Sequence, residues 1–404
     1  MFKYGEPMAT PYAENSQLSI DINTIDINIE GTEVEEEKVV EPFDPTKIRI
    51  DARQITIDLI LNRIKFGEIE LAPDFQRDSD IWNELAKSRL IESMLIRIPL
   101  PAFYIDATDE NKWVVIDGQQ RLTAIKNFVL GEKRTDVSSE VNNEVDERKF
   151  SLSKLEFLTQ FNGKIYDELP RTYQRRINET QITIYLIEKG TPEDVKFNIF
   201  RRINTGGLPL SPQEIRHALN QGKVTSFLKT LANSNEFKAA TASAIVDKRM
   251  AAREIILRFL SFKITHFTEY QAPDLDTFLN TAMKRMNQMS DTQIEALQEE
   301  FLRVMTIAKE LFDNDAFRKR SKRSAGRSPI NKALFESWSV NLSSLNDDRI
   351  KLLKGRKEML VDEFIKLNED VRFIDSISEG TGEVARVKYR FTKIKELIEK
   401  VLKI

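Results

Sequence analysis

The apolar periodicity of this 404-residue chain changes once along its length, and that change limits the fold most. In the first half, short apolar runs typical of strands alternate with stretches of helical periodicity. We expect strands near Lys47 and at residues 102–105, 113–116 and 182–187. From Val224 onward only helical periodicity remains, for example at residues 254–262, 291–312, 329–342 and 356–367.

This pattern predicts an α+β protein with three parts. Residues 1–44 are polar and end in the acidic run 33–37, which predicts a mobile acidic tail. Residues 45–222 are expected to form a mixed α/β domain with a polar, irregular insertion at about 134–178. Residues 223–404 are expected to form an all-helical domain.

Composition excludes several classes of site. The chain has no cysteine, so disulfides, thiolate zinc sites and cysteine nucleophiles are ruled out. Its two histidines, His217 and His266, lie far apart in sequence, which argues against a His-based nuclease centre. The net charge of −3 gives no overall attraction to DNA, so any DNA contact needs a local basic patch.

The location expected from the sequence is the cytoplasm, without a membrane contact. The N-terminal residues lack the basic start and apolar run of a signal peptide. No apolar stretch is long enough to span a bilayer.

The segment Asp117-Gly118-Gln119-Gln120-Arg121 leads from an apolar strand into a helix. A helix start exposes unpaired N–H groups and a partial positive charge, so it binds anions readily. The positive charge of an arginine in the first turn is unfavourable beside the positive end of the helix dipole. A phosphate in front of the arginine and the helix end would compensate both charges. Asp117 can cap the helix or hold a cation. The alternative, a plain turn with an exposed arginine, remains open.

Two further segments carry candidate ligand contacts. Asp74-Phe75-Gln76-Arg77 is an extended stretch ahead of a helix that carries Lys87, Ser88 and Glu92. Arg77 is a candidate phosphate or base contact, or else a surface ion-pair partner of a neighbouring aspartate. Arg201-Arg202-Ile203-Asn204-Thr205-Gly206-Gly207 ends one helix, and its Gly-Gly pair makes a loop able to wrap an anion.

Taken together and in this order, these three segments resemble the N-terminal-domain family of GmrSD-type restriction enzymes. The resemblance covers about residues 43–222, and the chain is similar to short stand-alone members without the HNH nuclease domain. It implies a fold like that of ParB and sulfiredoxin. It also implies a nucleoside triphosphate ligand, with Mg²⁺ as a candidate cofactor.

The likeness to ParB assigns roles to individual residues. Gly118 and Arg121 match a Gly-x-x-Arg turn that holds a triphosphate, and Asn204 matches an asparagine of a later motif. Two positions depart from ParB: Ile203 stands where ParB has a glutamate, and Gly207 stands where it has an arginine. The missing glutamate favours nucleotide binding over hydrolysis.

The candidate site follows from these matches. Asp117, Arg121 and Glu92 are the predicted catalytic residues should hydrolysis occur, and Asp117 is the predicted metal ligand. The predicted nucleotide contacts are Gln76, Arg77, Lys87, Ser88, Gly118, Gln119, Gln120, Arg121, Thr123, Arg201, Asn204, Thr205, Gly206 and Gly207.

A basic run at residues 318–327 is the candidate DNA contact. A loop that neutralises several phosphates would bind DNA with a steep salt dependence, ~0.9 log units per phosphate contacted. A solvated loop is the alternative. The cations of this run are Arg318, Lys319, Arg320, Lys322, Arg323 and Arg327.

The sequence therefore predicts a nucleotide-binding sensor or regulatory component of a bacterial anti-phage or modified-DNA restriction system. Its nuclease would be a separate partner protein. The alternatives are an Mg²⁺-dependent NTPase and a ParB-like DNA-binding clamp that uses nucleotide as a conformational ligand. A sulfiredoxin-like reductase is disfavoured because there is no cysteine. The oligomeric state stays open, a homo-oligomer included.

Overall fold

The computed structural model describes residues 29–30, 49–71, 82–133, 147–203, 211–272, 274–322 and 326–403. Strands and helices alternate up to residue 219, and helices follow. The first group comprises β1 Ile29–Glu30, β2 Ile50–Thr56, α1 Ile57–Lys65, β3 Ile69–Glu70, α2 Glu84–Leu95, β4 Phe103–Asp106, β5 Trp113–Asp117, α3 Gln119–Val129, β6 Glu132–Lys133, β7 Glu147–Arg148, α4 Arg171–Asn178, β8 Gln181–Ile187, α5 Glu193–Ile203 and α6 Pro212–Leu219.

The second group is helical apart from one two-residue strand. It comprises α7 Lys223–Asn233, α8 Asn235–Ala240, α9 Ala251–Ile264, α10 Leu275–Gln288, α11 Asp291–Phe312, β9 Ile330–Asn331, α12 Lys332–Ser343, α13 Asp347–Gly355, α14 Lys357–Leu367, α15 Val371–Ser378 and α16 Val384–Lys403. The predicted α+β class, with a mixed domain followed by a helical region, is confirmed.

Five strands form one mixed sheet in the order β2-β8-β4-β5-β3. β4 pairs antiparallel with β5 and parallel with β8, while β5 pairs parallel with the short edge strand β3. Helices α1, α2 and α3 pack with this sheet into one apolar core. β5 therefore lies inside the sheet, and its carboxyl end opens directly into α3.

Helix starts follow the sequence closely where a capping side chain is present. The Thr56 hydroxyl accepts a hydrogen bond from Leu59 N–H at the start of α1. Asn83 caps α2 in the same way. At α6 the Ser211 hydroxyl accepts from Glu214 N–H, and the Glu214 carboxylate accepts from Ser211 N–H, as in a capping box.

The segment 147–178 differs from the expected polar insertion. Its side chains Leu152, Phe161, Tyr166 and Ile177 are buried in the same core as the sheet. They are supplied by loops, by two short 3₁₀ turns and by α4 rather than by one regular element. No single period marks such a segment, so its core residues could not be recognised from spacing alone.

The helical region has a core of its own, from Val224 to Val401. It also holds a two-residue strand, β9, which pairs in parallel with β1. Residues 29–30 of the predicted mobile tail are therefore placed as a strand, and the rest of that tail lies outside the described residues. Within the described ranges, no helix combines the length and apolarity that a bilayer crossing requires.

Charged side chains are buried inside this helical core. Glu336 is fully buried and pairs with Arg258, whose Nε lies 2.6 Å from Oε2, and with Arg390. Close by, Lys332 Nζ lies 2.8 Å from Glu254 Oε1. A buried charge is tolerated only when it is paired, so these pairs fix how α9, α12 and α16 meet.

Glu254 gives this network a pH dependence. Burial alone would raise the pKa of its carboxyl, but Lys332, Arg216 and Arg258 together lower that pKa from 4.5 to about 2. A carboxyl whose pKa is lower in the folded state than in the unfolded state contributes its full stabilisation at pH values above its unfolded-state pKa. That stabilisation is lost as the pH falls from about 4.5 toward 2.

We therefore expect Glu254→Gln to lower the free energy of unfolding at pH 7 and to flatten its decline between about pH 4.5 and pH 2. Urea unfolding at a series of pH values measures both effects. Glu295→Gln, on an exposed position of α11, is the matched control. Equal stability of wild type and Glu254→Gln at every pH would contradict this account.

Candidate functional site

The turn from β5 into α3 is built around Gly118. Its φ is +90°, in the left-handed region that favours glycine. A Cβ at this position would overlap the Phe103 ring, 2.8 Å from Cε1 and closer to Cδ1. Glycine is thus required here by the protein's own packing.

Arg121 is turned back onto the turn that precedes it. Its Nη2 lies 3.0 Å from Asp117 Oδ2 and donates to the Ala102 carbonyl at 3.1 Å, and its Nη1 donates to the Pro101 carbonyl. The guanidinium carbon lies 4.4 Å from the centroid of the Phe103 ring. The side chain is only 13% exposed.

This placement corrects the prediction of a free cation at the helix tip. Burial lowers the pKa of the Arg121 guanidinium, and the neighbouring Asp117 raises it. The arginine is acceptable in the first turn of α3 because an adjacent carboxylate compensates its charge. Asp117, at 29% exposure, is the more accessible member of the pair.

The start of α3 receives no cap from its own N-cap residue. Gly118, which has no side chain, occupies that position, and the first hydrogen bond of the helical ladder runs from Leu122 N–H to the Gly118 carbonyl at 2.9 Å. The amides of Gln119, Gln120 and Arg121 therefore precede the ladder at the positive end of the helix. Gln119 is buried, whereas Gln120 is half-buried and closer to solvent.

Glu92 and Ser88 have structural contacts in place of the predicted ligand contacts. The Glu92 carboxylate accepts hydrogen bonds from the backbone N–H groups of Glu156, Phe157 and Leu158, at 2.8–3.0 Å. Burial raises the pKa of Glu92, but the hydrogen bonds from these three donors lower it by more. The net shift of the pKa is therefore downward. The Ser88 hydroxyl accepts from a backbone N–H of the same loop.

These bonds hold the 153–158 loop against α2, so the Glu92 carboxylate, a predicted catalytic group, anchors this loop. Lys87, one position before Ser88, is half-buried. Thr123 lies one turn into α3 and is also half-buried.

Part of the predicted site falls outside the residues that the structure describes. This holds for the motif of Gln76 and Arg77 and for the loop that follows α5. Arg201 lies in the last turn of α5, but the structure does not describe its side chain. The loop residues concerned are Asn204, Thr205, Gly206 and Gly207.

A family comparison agrees with this architecture. Residues 57–220 match the model of the GmrSD restriction endonuclease, N-terminal domain. The chain contains a GmrSD-type N-terminal domain. This assignment indicates a component of a restriction system. No curated protein and no solved structure gave a significant match.

The last helix of the GmrSD-type domain carries buried polar residues that the sequence did not single out. On α6, Arg216 is fully buried; its Nε donates to Gln213 Oε1 at 2.8 Å and its Nη1 pairs with Asp276 of α10. Ile215 of the same helix packs with Ile116 of β5. The sequence signal for the buried Arg216 is its place directly after the apolar Ile215 on a short helix.

Asp117, directly before the Gly118 turn into α3, is the residue that the sequence predicted as a metal ligand. Among the described residues, no three histidine or acidic side chains cluster closely enough to hold a metal. Mg²⁺ commonly binds through one or two carboxylates together with substrate phosphates and water. Asp117 therefore fits a metal that arrives with a nucleotide and does not fit a resident one.

The basic run of the helical region is largely used within the fold. Arg318 is buried, and its guanidinium donates to the carbonyls of Asn314 and Ser328. Arg320 pairs with Asp315 at 3.1 Å, and Lys319 Nζ donates to Ser378 Oγ. These three cations therefore do not form the free DNA-binding surface that the sequence predicted.

Two cations of the run remain exposed. Lys322 and Arg327 are both at the surface, while Arg323 lies outside the described part of the chain. Two scattered cations make a weaker DNA-binding signal than the six in the sequence, because counterion release scales with the number of phosphates neutralised.

Gly118→Ala tests the packing of the turn. Backbone strain at positive φ costs about 1–2 kcal/mol, and overlap with Phe103 adds about 1–3 kcal/mol. Gly67→Ala is the matched control, because Gly67 also has positive φ but nothing lies within 4 Å of its Cβ. We expect urea unfolding to show the larger loss for Gly118→Ala. Equal losses in the two variants would contradict the packing described here.

Proposed function

We propose that this chain is a nucleotide-binding regulatory component of a bacterial restriction system, acting with a separate nuclease. The observation that carries the proposal is the start of α3, where the carboxyl end of β5 opens and the N-cap residue Gly118 supplies no side-chain cap. Ligands of open α/β sheets commonly bind beyond the carboxyl ends of strands, and phosphates bind at helix starts. The GmrSD-type domain supplies the restriction context.

In this proposal the phosphates lie against the first-turn amides of α3, with Gln120 as the side-chain contact nearest solvent. A phosphate at that place would be close to Arg121, whose charge Asp117 now balances. A divalent cation that comes with the nucleotide would compete with Arg121 for the Asp117 carboxylate. The Asp117–Arg121 pair would thereby couple phosphate and cation binding.

The placement of the histidines supports a separate nuclease in this proposal. His217 is buried on α6, and His266 is exposed at the start of a 3₁₀ turn after α9. Two histidines on different elements, one of them out of reach of solvent, do not make a nuclease centre of the HNH kind. We therefore propose that this chain senses nucleotide and that a partner protein cuts DNA.

Binding is favoured over turnover within this proposal. Glu92, the acid expected to support hydrolysis, is engaged by three backbone donors. Asp117 remains the single acid proposed at the site. Phosphate release with Mg²⁺ and each of the four ribonucleoside triphosphates separates the two activities, and we expect binding without sustained release.

Gln120→Glu tests the phosphate site without removing a packing residue. A carboxylate in the first turn suits the helix dipole, so the fold should be as stable as wild type. The same charge repels phosphate. We expect a nucleoside triphosphate with Mg²⁺, at about 100 times its Kd, to stabilise wild type by about 2.7 kcal/mol. The variant should show little or no stabilisation in the same thermal-shift assay.

Gln54→Glu is the matched control, because it makes the same change at an exposed position of β2, which β8 and β4 separate from β5 in the sheet. It should keep the wild-type nucleotide response. The proposal fails if none of the four nucleotides binds the wild type in the presence of Mg²⁺. It also fails if Gln120→Glu binds as tightly as Gln54→Glu.

A further inference from the structure

We propose a second ligand site, in the helical region, for a small organic anion with an apolar body. The site is a pocket of about 600 Å³ lined by α9, α10, α11 and α12. This volume is within the range of pockets that hold small molecules. It is formed by residues 263–343, outside the GmrSD-type domain at 57–220, so it does not depend on the nucleotide proposal.

The floor of the pocket is apolar. Ile264 at the end of α9, Met289 after α10 and Leu297 of α11 contribute side chains that also pack against the helical core. Ala296, one position before Leu297, is exposed at the edge. Apolar surface of this kind stabilises a bound apolar body by removing it from water.

The wall of the pocket carries positive charge. Arg285 is exposed, and its Nη1 donates to Thr265 Oγ1 at 3.0 Å. The described residues give Arg285 no carboxylate partner. Lys263 Nζ lies 3.1 Å from Ser343 Oγ and 3.4 Å from Glu300 Oε1.

The one acid of the pocket is already neutralised. Glu300 accepts from Arg303 through both carboxylate oxygens, at 3.0 and 3.1 Å, in addition to its contact with Lys263. This leaves the pocket with excess positive charge at Arg285 beside an apolar floor. An anionic group on an apolar body matches both features, and a neutral apolar molecule matches only the floor.

The probe for this site is 8-anilinonaphthalene-1-sulfonate, which joins an aromatic body to one negative charge. We expect saturable fluorescence enhancement with wild type. We expect at least a tenfold higher Kd for Arg285→Glu and for Ala296→Glu, because each places a carboxylate in the pocket. Both positions are exposed, so thermal unfolding should remain close to that of wild type.

Two controls make the result specific. Lys351→Glu reverses a charge at an exposed position of α13 and should leave the Kd unchanged. N-phenyl-1-naphthylamine, which has a similar aromatic body without the sulfonate, should bind more weakly and should not respond to Arg285→Glu. The proposal is overturned if wild type does not bind the sulfonate probe, or if its Kd is the same in wild type, Arg285→Glu and Ala296→Glu.

Discussion

The Phe103 ring holds together the junction on which the candidate nucleotide site depends. It fills the space beside Gly118 and lies under the Arg121 guanidinium. Arg121 in turn ties the start of α3 to the carbonyls before β4 and to Asp117. The direction of α3 is therefore fixed by contacts within the protein, and a phosphate would meet a helix start that is already in place.

The same contacts change how the arginine is understood. From the sequence, a cation in the first turn of a helix is a candidate phosphate contact, because its charge opposes the helix dipole. In the structure Asp117, four positions earlier, balances that charge. What supports the proposed anion site is the start of α3, where Gly118 supplies no side-chain cap, together with Gln120. The accessible side of Asp117 suits a cation that comes with the anion.

Local signals in the sequence predicted local structure well. Ser211 and Glu214 have the spacing typical of a capping box and form one, and α11 has the predicted bounds Asp291–Phe312. Strand positions followed apolar runs, and the family match covers most of the domain predicted from motifs. Each of these features is decided by residues a few positions apart.

Features decided by distant residues could not be predicted. Glu92 reads as a free acid in the sequence, but its partners lie more than sixty positions later. Arg318 reads as part of a basic surface, but its guanidinium is buried against backbone carbonyls. The pairing of β1 with β9 joins residues that lie about three hundred positions apart, from Ile29 to Ile330, and no local pattern indicates it.

Helix α6 connects the two halves of the molecule. Its cap, Ser211, donates to the Arg249 carbonyl at 3.0 Å, and Glu214 pairs with the Arg249 guanidinium. Arg216 reaches Asp276 of α10. Since Ile215 also packs with Ile116 of β5, a change at the end of β5 has a direct packed route to the helical region. In the proposed function, this route would carry a change at the nucleotide site to the helical region.

Amide hydrogen exchange at the start of α3 tests the central claim most directly. With a nucleoside triphosphate and Mg²⁺ present, the amides of Gln119, Gln120 and Arg121 should exchange more slowly than without them, since phosphate oxygens would accept from them. Protection confined to other segments, or no change anywhere under conditions where the nucleotide is in large excess, would contradict a phosphate site at this helix.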